Sequence, residues 1–245
     1  RVAVLLGDLV IVGMDFAEGE EAVTVPAVID ERRLKRRLYP RCSASGVSRS
    51  NLARERIAGA PQDLGGLLPV EEHNRMLEEC LAGFEARVSK PRDGIRVVVE
   101  GAFCEQPPID LLNLLDAVGC FVVDDDLLIG RRWFGTDVPT TGDPLQALAE
   151  AYMKSPVPSS VRHNPGVPRT QALIDRVRRA EAAAGIFMYA KFCEPGLFDY
   201  VLFKDVLEKE GIPHLLIEFE EKMWTFDKAR MEVETFVESL LFDYA

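Results

Sequence analysis

Histidine is scarce in this chain: His73, His163 and His214 are the three among 245 residues. They are too dispersed to form a metal triad by themselves. The five cysteines (Cys42, Cys80, Cys104, Cys120 and Cys193) contain no Cys-x-x-Cys pair. A self-contained zinc site or redox dithiol is therefore unsupported. Their odd number and irregular spacing also argue against a disulfide scaffold. With no signal-peptide pattern, the expected location is a reducing cytoplasm. No strand pattern leads into Gly-x-Gly-x-x-Gly or a P-loop, which leaves nucleotide sites of those kinds unsupported. Basic residues are in deficit, 29 against 40 acidic, for a net charge of −11. Phosphate-backbone binding needs clustered Lys and Arg, so no nucleic-acid partner is expected. Long apolar runs are missing too. Val2 to Met14 is interrupted by Asp8 and falls short of the roughly 20 residues of a membrane span, so no membrane association is expected.

What is present fits a globular protein, with 47% hydrophobic and 28% charged residues. The chain opens on Arg1, and its first apolar run has no upstream partner. Residues 1–68 therefore read as the remnant of an N-terminal region, partly helical and partly irregular. Val2 to Leu6 and Leu9 to Val12 are possible strands, and Pro26 to Leu38 fits a helix. Pro40 to Gly66 reads as a loop. Pro69 to Val88 is an amphipathic helix, with Val70, Met76, Leu77, Leu81 and Phe84 at near-helical spacing.

From Lys90 onward the pattern becomes regular. Strands are predicted at Ile95–Glu100, Cys120–Val123, Ile186–Lys191 and His214–Glu218. Helices are predicted at Ile109–Val118, Asp143–Lys154, Thr170–Ala184, Leu197–Glu210 and Thr225–Phe242. Gly119, Gly185 and Gly211 end three of these helices. Such alternation demands right-handed crossovers. The expected fold of 69–245 is a doubly wound α/β domain, a mainly parallel sheet with helices on both faces.

Two strand exits have the same form: Phe103-Cys104-Glu105-Gln106-Pro107-Pro108 and Phe192-Cys193-Glu194-Pro195. In an open parallel sheet, the carboxyl ends of the strands hold ligands and chemistry. Asp124-Asp125-Asp126 and Glu218 to Glu221 end the other two strands on the same edge. A cysteine taken alone is more often a small core hydrophobe than a ligand, and Cys120 reads that way. Cys42 and Cys80 lie away from the edge. The aspartate run is read as a hydrated loop in preference to a magnesium site. Arg131 and Arg132 suit a ligand phosphate and equally suit ion pairs with those aspartates. His214 reads as structural. His163 and Glu105 are the candidate proton donors.

Several of these stretches resemble a known family. They are Arg96 through Pro108, Gly119 through Asp126 with Gly130-Arg131-Arg132, Lys191 through Pro195, Gly211 through Glu218, and Arg230 to Glu238. Pro69-Val70-Glu71-Glu72-His73-Asn74 matches the helix start before them. Together they look like the second α/β domain of the benzoyl-CoA reductase and 2-hydroxyacyl-CoA dehydratase family. The wording is closest to the cluster-carrying subunits of the ATP-dependent reductases.

The resemblance implies a [4Fe-4S] cluster held by cysteines from two domains, with Cys193 the ligand from this one and the rest outside it. It implies a CoA-thioester substrate, a second cluster-carrying subunit and a separate ATP-hydrolysing activator. Cys104, Arg131 and Arg132 would then lie near substrate. The implied reaction is reduction of the aromatic ring of benzoyl-CoA. Radical elimination of water from a 2-hydroxyacyl-CoA and a non-catalytic or truncated partner subunit are the alternatives.

Overall fold

The computed structural model describes residues 4–6, 9–11, 69–86, 94–101, 104–127, 137–154, 168–220, 223 and 225–243. The helix expected at Pro26–Leu38, the loops at 40–66 and 156–167, and Cys42, Arg131, Arg132 and His163 lie outside them. Two short strands, β1 (Val4–Leu6) and β2 (Leu9–Ile11), pair antiparallel. α1 (Val70–Ala86) follows. It buries Val70, His73, Leu77 and Leu81, the i, i+3, i+7 spacing of one helical face.

The main sheet consists of β3 (Ile95–Gly101), β4 (Cys120–Asp126), β5 (Ala184–Ala190) and β6 (His214–Phe219). Its spatial order is β4-β3-β5-β6, and every neighbouring pair is parallel. α2 (Ile109–Ala117) connects β3 to β4, while α3 (Pro144–Met153) and α4 (Arg169–Arg179) lie between β4 and β5. α5 (Glu194–Lys209) connects β5 to β6, and α6 (Asp227–Asp243) closes the chain. α2 packs with α6 and α4 with α5. Right-handed crossovers that run in opposite directions from β3 put these two pairs on opposite faces.

The core is the sandwiched sheet. Val97, Val98 and Val99 of β3 are completely buried, as are Ile186, Phe187 and Met188 of β5. An unbroken apolar run is what a strand covered on both faces requires, and each such side chain contributes about 1.5–3 kcal/mol. Helix ends follow local chemistry. Asp143 caps α3 by accepting from the Gln146 amide at 2.8 Å, an arrangement worth about 1 kcal/mol. Gly119 and Gly211 take positive φ after α2 and α5, where a side chain would strain the backbone.

Three expectations change. α4 ends at Arg179 rather than Ala184, because Glu181 turns to φ 48° and breaks the helical ladder, and Gly185 lies within β5. α5 begins at Glu194, ahead of the expected Leu197, because Pro195 is accommodated in its first turn. β4 runs on to Asp126, and Asp124, Asp125 and Asp126 are buried strand residues. The hydrated-loop reading of this run is thereby overturned. The β3–β4 register also shifts by one. Val97 opposes Val122, but Val98 opposes Asp124 and Glu100 opposes Asp126.

Candidate functional site at the sheet's carboxyl edge

Strand order decides where chemistry can collect. From β3 the chain crosses outward to β4, then returns to lay β5 on the other side of β3. The crevice outside the carboxyl ends of β3 and β5 is therefore the point where the winding reverses, the general ligand position of open α/β sheets. The loop after β3 carries Cys104 and Glu105, and the turn after β5 carries Cys193.

These two thiols lie near one another, close enough for Cys193 to act on the titration of Cys104. Cys104 is exposed and Cys193 is 5% exposed, so one sulfur faces solvent and the other backs onto the core. Burial pushes the Cys104 thiol up to about 11, and Cys193 acts in the same direction. Glu105 is half-buried beside it.

The backbone after β5 is built to present this sulfur. Lys191 and Phe192 form a tight turn in which the Cys193 amide donates to the Ala190 carbonyl at 3.1 Å. Phe192 adopts φ 65° and is 85% exposed. A bulky residue in that region costs about 1–2 kcal/mol. Such strain persists where surrounding structure holds it, commonly at functional positions. The Lys191 ammonium lies 5.9 Å from the Phe192 ring and pairs with Glu220 at 2.6 Å.

Cys193 is the N-cap of α5 but makes no side-chain cap bond, so its sulfur is not committed to the helix. Gly196 gives that sulfur room. A Cβ at position 196 would stand 3.1 Å from Cys193 Sγ and 3.4 Å from the Tyr189 ring.

A second polar cluster sits beside this edge. Arg176 of α4 pairs with Glu100 of β3 at 2.9 Å, and both are buried. Burial alone would lower the Arg176 pKa, but Glu100, Asp126, Asp124 and Asp125 outweigh it and the guanidinium is held more firmly charged. The Asp124 carboxylate accepts from the Asp125 amide at 2.8 Å, and that of Asp125 accepts from the Leu127 amide at 3.1 Å. Sequence reasoning passed over Glu100 and Arg176. The available signal was a charge closing a valine run and an arginine on the buried stripe of α4 with Leu173, Ile174 and Val177. On α5, the buried Asp199 pairs with Arg169 of α4.

Other candidates lie elsewhere. His214 starts β6, at the opposite end of its strand from the edge. It packs edge-on against Phe187 and Tyr200, as expected of a structural residue. Cys120 is buried at the start of β4.

Two nearby sulfurs form a soft donor set that suits iron. Among the described residues no group of three His, Cys, Asp or Glu is placed to hold a metal ion. Cys193 would supply one thiolate of a cluster's ligand set, with further ligands needed from elsewhere. No helix among the described residues is long and apolar enough to cross a membrane.

The family of 2-hydroxyglutaryl-CoA dehydratase, D-component, matches residues 29–240. The chain is 32% identical over 177 residues to a benzoyl-CoA reductase subunit of Thauera aromatica, covering 72% of this chain and 46% of that protein. It is 30% identical over 170 residues to the (R)-phenyllactyl-CoA dehydratase beta subunit of Clostridium sporogenes, covering 69% and 44%. It is also 30% identical over 171 residues to the beta subunit of lactoyl-CoA dehydratase of Anaerotignum propionicum, covering 69% and 45%. The chain thus spans about half the length of the curated relatives it matches, and each of those is a subunit by name. A family match over most of its length, with an open α/β sheet beneath it, shows that this chain belongs to the 2-hydroxyglutaryl-CoA dehydratase D-component family of enzyme subunits.

Proposed function

We propose that the chain serves in an iron–sulfur subunit that passes low-potential electrons to the aromatic ring of benzoyl-CoA. The observation that carries this reading is the placement of Cys193, with Cys104 near it, at the crevice beyond the carboxyl ends of β3 and β5. It is supported by the likeness to a benzoyl-CoA reductase subunit. In this reading Cys193 holds a [4Fe-4S] cluster together with ligands from outside the described residues. When bound, such a cluster supplies single electrons at a potential set by its burial and surrounding charge.

The chain's own residues do the rest. The core beneath Cys193 keeps water from one side of the sulfur. Glu105, next to the thiol pair, and His163 are the proposed proton donors to the reduced ring. Arg131 and Arg132 are proposed to bind a phosphate of the CoA moiety by paired hydrogen bonds. The proposed partners are a second cluster-carrying subunit and a separate ATP-hydrolysing activator, as the family resemblance implies. A cytoplasmic setting is proposed with them.

The test is iron and acid-labile sulfide content of the protein made without oxygen. Cys193→Ser is expected to lose both, and an unchanged content overturns the ligand assignment. Two of the relatives are dehydratase beta subunits, so elimination of water from a 2-hydroxyacyl-CoA is the second reading. Offering benzoyl-CoA and a 2-hydroxyacyl-CoA separately to the assembled complex with its activator decides between the two.

A further inference from the structure

We propose that the outer face of α5 is the surface through which two copies of this chain pair, helix against antiparallel helix about a two-fold axis. The pairing stands apart from the iron assignment above and does not depend on it.

α5 turns one side to β5 and α4. On the opposite side Phe198 is 73% exposed, Val201 64% and Leu202 56%. Surface hydrophobics scattered singly are ordinary, but these three stand at i, i+3 and i+4, the spacing of neighbours on one helical face. The exposed residues of that face are Glu194, Phe198, Val201, Leu202, Asp205 and Lys209. At 3.6 residues per turn they fall within an arc of about 100°.

The order of this stripe is the same from either end, with steps of 4, 3, 1, 3 and 4 residues. A second α5 turned end for end about the point between Val201 and Leu202 therefore lays the stripe upon itself. Val201 then stands opposite Leu202 of the second copy, Phe198 opposite Asp205, and Glu194 opposite Lys209. The charges complete the match. Glu194 and Lys209 are the first and last residues of the helix, so the two-fold brings each acid to the other copy's base, twice in every dimer. A parallel arrangement would set acid on acid and base on base.

A two-fold contact demands this self-complementarity, because one patch serves both copies. Steps of three and four belong to helices that cross at about 20°. So shallow an angle keeps them in contact along the ~22 Å between the two charges. At the flank Lys204 pairs with Glu208 at 3.7 Å, and within the stripe Asp205 pairs with Lys209 at 2.6 Å, giving an apolar centre with a polar rim. One helix pair buries little, below about 1,200 Å² in total, so the dimer is expected to be weak and concentration-dependent. Pairing also lays the carboxyl end of the second copy's α5 beside the turn that carries Cys193.

The experiment is sedimentation equilibrium of the full chain with reductant present, from low micromolar to hundreds of micromolar. The mass is expected to rise from the 27.3 kDa of one chain toward twice that value. Glu194→Lys and Lys209→Glu are each expected to weaken dimerisation about tenfold, since each is felt at two pairs in every dimer. The double variant E194K/K209E restores both pairs with their signs exchanged and is expected to return to within about threefold of the parent. Net charge moves in opposite directions in the two single variants, and both reversals oppose the helix dipole. Neither effect can weaken both singles and then recover in the double. Leu202→Asp, at the centre of the stripe, is expected to remain monomeric. All these positions are exposed, so the variants are expected to fold, and circular dichroism with a thermal melt verifies this.

A parent chain that stays monomeric at hundreds of micromolar overturns the proposal and leaves the face to a different subunit. A dimer that ignores both reversals, or a double variant as weak as the singles, overturns it as well.

Discussion

At the scale of single residues, the space around one sulfur governs what the site can hold. Gly196 lies in the first turn of α5, where alanine is the better helix former by up to about 1 kcal/mol. A Cβ there stands 3.1 Å from Cys193 Sγ, tighter than ordinary contact, so the thiol must give way. Gly196→Ala is therefore expected to leave the melting temperature within a few degrees of the parent while lowering iron per chain severalfold. Metal analysis alongside a thermal melt measures both. Equal iron in the two proteins would mean that the glycine serves only the packing of Tyr189.

The thiol exits themselves were legible in the sequence, because Phe-Cys-Glu appears twice at the end of an apolar run. Their nearness was not. It depends on β3 and β5 being neighbours, and a set of right-handed crossovers permits several strand orders. Gly196 was invisible for the same reason, since its role depends on the rotamer of a cysteine three residues away.

At the scale of elements, α4 is tied to the sheet by charge as well as by apolar contact. Arg176 is the buried cation that pairs with Glu100 and feels the charge of Asp126, Asp124 and, least, Asp125. Removing it strands several carboxylates in a medium where an unpaired charge is costly. Arg176→Met is expected to destabilise by about 3–5 kcal/mol. Glu100→Gln leaves the guanidinium under the charge of the nearby aspartates and is expected to cost on the order of 1 kcal/mol. Denaturant midpoints of the two variants test this asymmetry, and equal losses would show that Glu100 alone carries the interaction. The same long-range pairing explains why β4 outran its expected end at Val123. Three aspartates read as a loop by composition, and only an arginine about fifty positions later makes them compatible with a strand. The order of helices and strands was legible because periodicity, Pro and Gly are local signals, but Gly185 misled, since it lies inside β5 rather than after α4.

At the scale of the whole molecule, neutral thiols and a phenol are part of what the fold requires. Burial, with a smaller push from Asp116, takes the Cys120 thiol up to about 12 from an ordinary value of 9.0. Tyr200 is raised by burial and then by Glu208. Groups whose folded pKa lies above the unfolded one contribute stability that is complete below the unfolded value and lost as pH rises through the folded one. Stability is therefore expected to hold steady from neutral pH to about 9 and to fall between about 9 and 12. Chemical denaturation across that range measures it. The decline should be shallower in Cys120→Ala than in the parent once their neutral-pH difference is subtracted. A slope that is the same in both proteins would remove Cys120 from the explanation.

The one-residue register shift in β4 has a consequence for how this protein can change by insertion and deletion. Because Val98 opposes Asp124 and Glu100 opposes Asp126, Asp124 and Asp126 share the α4 side of the sheet with Glu100 and Arg176. Val123 is the extra residue of this bulge, so losing one position ahead of Asp124 would flatten the bulge and keep both pairs. Losing one position between Asp124 and Asp126 has no such reserve and would turn Asp126 to the opposite face. A change of length in β4 is therefore tolerable only on the amino-terminal side of the aspartates.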